Sequence, residues 1–217
     1  MQILNKTVRD RAMVLVISCA LLIVSAACAG EIHSNGRGGG LWSEPGTWHG
    51  GRVPGPEDTA VIAMYDRVVF DRNDQEKVTC AGLYLDPESV LTLRPDHRRI
   101  TLTVAGPIEV YGTIRMDGTD GAGGMAELRL AGPAEERTIL LLDNSALLAY
   151  GRKAPLGEER NVRITATKGT QERPAAASLE ARGDVMLDLH YVRVSDVGIR
   201  AERIDNTGAQ AAQRLNF

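Results

Sequence analysis

The stretch Leu102–Gly118, LTVAGPIEVYGTIRMDG, holds three short apolar runs separated by glycine-bearing corners, and no two-residue turn within it would fold one strand back on the next. A chain written this way turns corners instead of making hairpins. The runs around it have the same character: Thr59–Phe70, Lys77–Leu85, Ser89–Leu93, Ile100–Val104, Ile108–Met116, Glu127–Leu130, Thr138–Leu142, Ala146–Ala149, Asn161–Ala166 and Val185–Val194. They are rich in Val, Ile, Leu and Thr, several alternate apolar with polar residues, and none carries apolar residues at helical spacing. The expectation is an all-β fold, with a right-handed parallel β-helix favoured by the corners and a β-sandwich or barrel as the alternative. No strict repeat period is visible to choose between them.

The first thirty residues read differently. Lys6, Arg9 and Arg11 precede an uncharged run, Ala12–Ala29, that ends in Ala27-Cys28-Ala29. A basic start, an apolar stretch and a small-x-small site spell a secretory signal peptide over residues 1–29, leaving Gly30 as the new N-terminus. An uncleaved anchor is the alternative, because the run is as long as the shortest membrane spans. Lipidation at Cys19 or Cys28 is a further one, although Cys19 comes early and Cys28 lacks an aliphatic residue three before it. Membrane contact is expected only through such an anchor, and the protein is expected outside the cell or at its surface.

Removal of the signal takes three basic residues and one acidic residue from a chain of net charge -3, so the exported part stands at -5. Without a basic excess, a phosphate backbone has little to bind, and nucleic acid is an unsuitable partner. Of the three cysteines only Cys80 remains, so no intramolecular disulfide forms, and its apolar surroundings suggest a small buried thiol.

Residues 30–58 form an opening and cap segment ahead of a β domain over 59–217, and nine of the 23 glycines lie between Gly30 and Gly55. Asp117–Gly124, Gly169–Ala177 and Ala131–Arg137 read as loops. Within the opening segment, Leu41-Trp42-Ser43-Glu44-Pro45-Gly46-Thr47-Trp48 runs on to Gly50-Gly51-Arg52-Val53-Pro54, and then Asp58. This resembles the start of the eight-glycine domain, and Val104–Ile114 is similar to that family's strand, glycine, strand, glycine passage. The resemblance spans about Leu41 to Asp117. It implies an extracellular β-rich module found in large surface and secreted proteins, some of which bind or help degrade hyaluronan, and it supplies no catalytic residues. The end of the chain, with Asp196, Asp205 and Asn206 at corners, resembles the beginning of further pectin-lyase-like coils and suggests a fragment.

Trp42 and Trp48 are candidates for stacking on sugar rings, their alternative role being to cover the end of the core. Asp184, Asp188, His190 and Asp196 form the densest polar set, and Asp188 and His190 alternate onto one face of a strand. They are the residues a polysaccharide-cleaving enzyme would use here, against the plainer reading of a wet outer face. His33, His49, His97 and His190 lack ligand spacing, and Asp117 with Asp120 lacks the density of a calcium loop, so neither a metal nor a cofactor is expected. The combined expectation is a non-catalytic exported module that binds polysaccharide, the alternatives being a fragment of a degrading enzyme and a structural stalk or adhesin segment. Expressed with its own first residues, the protein should be exported with an intact mass that starts at Gly30; a mass including residues 1–29 would instead identify an anchor.

Overall fold

A computed structural model describes residues 30–72, 77–96, 98–118, 124–133, 136–151, 161–167 and 177–201. The expected signal peptide over residues 1–29 with Cys19 and Cys28, together with His97, Asp120, Asp205, Asn206 and most of the loop from Gly169, lies outside these residues. The described part is all-β, as its sequence indicates. Two strand pairs come first: β1 (Glu31–His33) with β2 (Gly39–Leu41), and β3 (Thr59–Ile62) with β4 (Arg67–Phe70). Strands then follow in threes: β5 (Gly82–Leu85), β6 (Val90–Leu93) and β7 (Arg99–Val104); β8 (Ile108–Val110), β9 (Thr113–Asp117) and β10 (Met125–Leu130). The same order gives β11 (Thr138–Leu141), β12 (Ser145–Tyr150) and β13 (Val162–Ala166), then β14 (Ala177–Ala181), β15 (Val185–His190) and β16 (Val192–Ser195), before a final β17 (Val197–Ala201).

The chain deals these strands to three sheets in rotation. The first sheet has the order β1-β3-β5-β8-β11-β14-β17, the second β15-β12-β9-β6-β4-β2 and the third β16-β13-β10-β7. Every pairing between these strands is parallel, not the antiparallel pairing of hairpins. Ahead of β5 the third sheet is represented by an isolated parallel bridge of Cys80 to Val104.

Parallel registry with a side-chain period of two makes like faces stack on like. In the second sheet Val68, Leu91, Ile114 and Leu147 occupy one inward row, and Leu187, level with Leu147, is 37 % exposed. In the first sheet the row is Ala60, Leu83, Ile108, Ile139, Leu179 and Ile199, and in the third Leu102, Leu128, Ile164 and Val194. These rows converge in one core, in which Cys80 is also buried. Each Leu or Ile taken from water there contributes roughly 1.5–3 kcal/mol.

The corners repeat as well. Between the first and second sheets, Ala63–Asp66, Asp86–Ser89 and Leu142–Ser145 are each closed by a backbone bond from the fourth N–H to the first carbonyl, at 3.0, 3.2 and 2.9 Å. Tyr65, Glu88 and Asn144, the third residues, have positive φ, as a type II turn requires. The long run Thr59–Phe70 is thereby two strands, and Val185–Val194 is likewise divided at Tyr191, with φ of 52°. Between the third and first sheets the pair Ala-Gly recurs as Ala81-Gly82, Ala105-Gly106 and Ala131-Gly132. A Cβ on Gly106 would lie 2.5 Å from the Ala81 carbonyl oxygen, and one on Gly132 would collide with that of Ala105.

The opening segment is ordered by one carboxylate. Asp66, buried on the corner after β3, accepts the backbone N–H of Gly36 and of Gly38 at 2.8 Å and the Ser34 hydroxyl. Trp42, Trp48 and Phe70 then meet edge to face, with ring centroids 4.8 and 5.4 Å from Trp42, and the Trp48 indole N–H donates to the Trp42 carbonyl at 2.7 Å. On the outward side of the third sheet Glu127, only 3 % exposed, takes bonds from Arg99, Arg129 and Thr165. Burial alone would raise its carboxyl, but the Thr165 hydroxyl and the two guanidinium groups outweigh that and hold it below the ordinary value.

Gly106→Ala should lower stability in urea unfolding by about 1–3 kcal/mol, because a backbone carbonyl must move to admit the methyl group. Gly46→Ala, which meets open space, should stay within about 0.5 kcal/mol of the parent. Equal effects would remove the close approach of successive corners as the cause.

Candidate functional site

Two groups of polar side chains stand on outward faces, one on each of the two larger sheets. On the second sheet, parallel registry aligns Arg115 of β9, Leu148 of β12 and Asp188 of β15, with Asp117, Tyr150 and His190 in the next outward row. The Tyr150 hydroxyl donates to Asp188 Oδ2 at 2.9 Å, and His190 Nε2 lies 2.7 Å from Asp188 Oδ1. The Tyr150 and His190 rings stack with centroids 5.8 Å apart, while the Arg115 guanidinium sits 6.0 Å from the Tyr150 ring centre and binds Asp117 at 2.8 Å. The phenol of Tyr150 is held above its ordinary pKa chiefly by the hydrogen bond to Asp188, with burial adding to it.

The structure therefore brings Asp188 and His190 together, and adds Tyr150, Arg115 and Asp117 from circuits that sequence reading did not connect to them. Asp184 and Asp196 stand apart: Asp184 lies on the turn before β15, where its N–H donates to Asp143, and Asp196 forms a corner with φ of 62°. Chemically, the group offers an imidazole oriented by a carboxylate, a phenol donor and a guanidinium. Asp188 and His190 are 38 % and 58 % exposed, so water reaches both.

The second group lies on the first sheet, where the outward row runs His33, Val61, Tyr84, Glu109. In the adjoining row Gly82 of β5 lies level with Thr59, and both border a groove of about 430 Å³. Glu31, His33, Tyr84, Asp86 and Glu109 all contribute to its walls. The Tyr84 ring lies 5.5 Å from that of Tyr111, tilted by 46°. Burial raises the Tyr84 phenol above its ordinary pKa, and Tyr111, Asp86 and Glu109 push it the same way. Neither tyrosine was marked by the sequence reading: Tyr84 and Tyr111 sit on runs that read as ordinary core strands, and only strand registry makes them neighbours.

Trp42 and Trp48 are 0 % and 2 % exposed, with their faces taken up by each other and by Phe70. A pyranose needs an open aromatic face, so the stacking role expected for these two residues is corrected to one in the core. Of the histidines, His33 lies 3.4 Å from Glu31, and His49 belongs to a single 3-10 turn, His49–Gly51. Among the described residues no three His, Cys, Asp or Glu side chains converge as metal ligands would.

No family model matches the chain, and neither a curated protein nor a solved structure does.

Replacing Asp188 with Asn should bring one tyrosine's titration down in pH toward the ordinary value, because the carboxylate that holds the Tyr150 proton is gone. Phenolate absorbance measured against pH reads this directly, with Tyr150→Phe identifying the component; an unchanged curve would show that the Tyr150 to Asp188 bond does not persist in solution.

Proposed function

We propose that this protein is an exported right-handed parallel β-helix of the eight-glycine type, and that it binds polysaccharide outside the cell or at its surface without cleaving it. Successive circuits through the three sheets are its coils. The resemblance of Leu41–Asp117 and the signal-like first 29 residues motivate the family and the location. The observation that carries binding is the groove on β1, β3, β5 and β8, in which Tyr84 lies beside the carboxylates of Glu31, Asp86 and Glu109. Its volume falls within the range of small-molecule and sugar-sized pockets, and Tyr rings combine an apolar face for a pyranose with a hydroxyl for its polar edge. Trp42 and Trp48 take no part in this reading except to close the core.

The second reading, a polysaccharide-degrading enzyme, is favoured by one observation: Asp188 and His190 are in contact and Tyr150 joins them. An acid–base pair alone does not make a glycosidase, which needs two carboxyl groups flanking one bond, or a lyase, which needs a stabilised uronate.

The test follows the full chain, purified as its host exports it, with acidic, neutral and amine-bearing polysaccharides, recording complex formation and polymer length in the same samples. Retarded, uncut polymer is expected, and Tyr84→Ala should weaken it roughly tenfold, equivalent to about 1.4 kcal/mol. Asp188→Asn should leave binding unchanged. Polymer that shortens, and stops shortening in His190→Ala, would replace the binding module with the enzyme.

A further inference from the structure

The groove's charge restricts what it accepts. Glu31, Asp86 and Glu109 are its carboxylates, no lysine or arginine is among its described lining residues, and its single basic group, His33, is already beside Glu31 at 3.4 Å. Asp86 and Glu109 are in no ion pair with a described residue, and both lie close enough to Tyr84 to raise its phenol. Elsewhere several acidic side chains have a cation opposite them: Arg115 at Asp117, Arg99 and Arg129 at Glu127, Arg52 at Asp58. In this groove the countercharge is left for whatever enters it.

A uronate or sulfated sugar seated on Tyr84 would bring a further negative charge against Asp86 and Glu109, where desolvation strengthens the repulsion. An ammonium group at the same place would gain two carboxylate partners. We infer that the groove on β1, β3, β5 and β8 selects an amine-bearing glycan, with Tyr84 carrying the ring and Asp86 and Glu109 the ammonium. This rests on the proposed polysaccharide-binding reading and names its ligand class, turning it away from acidic polymers such as hyaluronan.

The experiment measures affinity of the exported full chain for three oligosaccharides of equal length: a glucosamine oligomer, its fully N-acetylated counterpart, and a galacturonate oligomer. Glucosamine should bind at least tenfold more tightly than the N-acetylated oligomer, with the galacturonate weakest. Glu109→Gln should bring the first ratio close to one, and Tyr84→Ala should weaken the glucosamine and N-acetylated oligomers together. Asp184→Asn, which removes an equal charge from the turn before β15, should leave the ratio intact and so distinguishes the groove from general attraction of a cation to an acidic protein. Galacturonate binding as tightly as glucosamine and lost in Tyr84→Ala would overturn the selectivity while supporting the groove. Binding of any oligomer that survives Tyr84→Ala, or no binding at all, would overturn the groove and the reading beneath it.

Discussion

Each strand here is too short to bury anything alone, and the constraint that organises the molecule is parallel registry between one circuit and the next. With like faces stacked on like, Val68, Leu91, Ile114 and Leu147 complete one another's burial across four circuits, and the same holds on the other two sheets. The outward faces obey the same rule. Asp188 and His190 meet Tyr150, and Tyr84 meets Glu109, because registry brings them level, although 38 residues separate Tyr150 from Asp188 in the chain.

That rule also explains what the amino-acid sequence discloses. Alternation within runs and glycine at corners are local signals, and they lead correctly to an all-β chain whose strands turn corners. Division of Thr59–Phe70 into two strands was hidden because the residue in the left-handed region is Tyr65, a type that carries no turn signal, where Gly or Asn would have announced it. β2 is hidden for the opposite reason: glycines that suggest irregularity pair with β4 as a strand once Asp66 gathers the N–H groups of Gly36 and Gly38. Ala177 reads as the end of a loop and begins β14.

A fixed repeat is absent from the sequence even though circuits are equivalent in space, because the connections differ in length. Thr79 bonds Thr103 across 24 residues, and Thr138 reaches Ser178 across 40. Only the corners keep their spelling, in the three Ala-Gly pairs, and these are too short to stand out before the sheets align them. For the polar groups the limit is the same: Asp188 and His190 lie on one strand and alternation suffices to pair them, whereas Arg115, Tyr150 and the groove's Tyr84 depend on which residue of another circuit lies level. Trp42 and Trp48 illustrate the converse, since a pair of tryptophans in a glycine-rich stretch has the composition of a sugar platform and the packing of a core.

The opening circuits of the stack are tied by more than registry. There the trio of Trp42, Trp48 and Phe70 is interlocked and buried, and Asp66 ties the backbone across it. Because each circuit holds only its neighbours, a load on the first strands would have to break this aromatic cluster and the Asp66 hydrogen bonds together before a later circuit carried it.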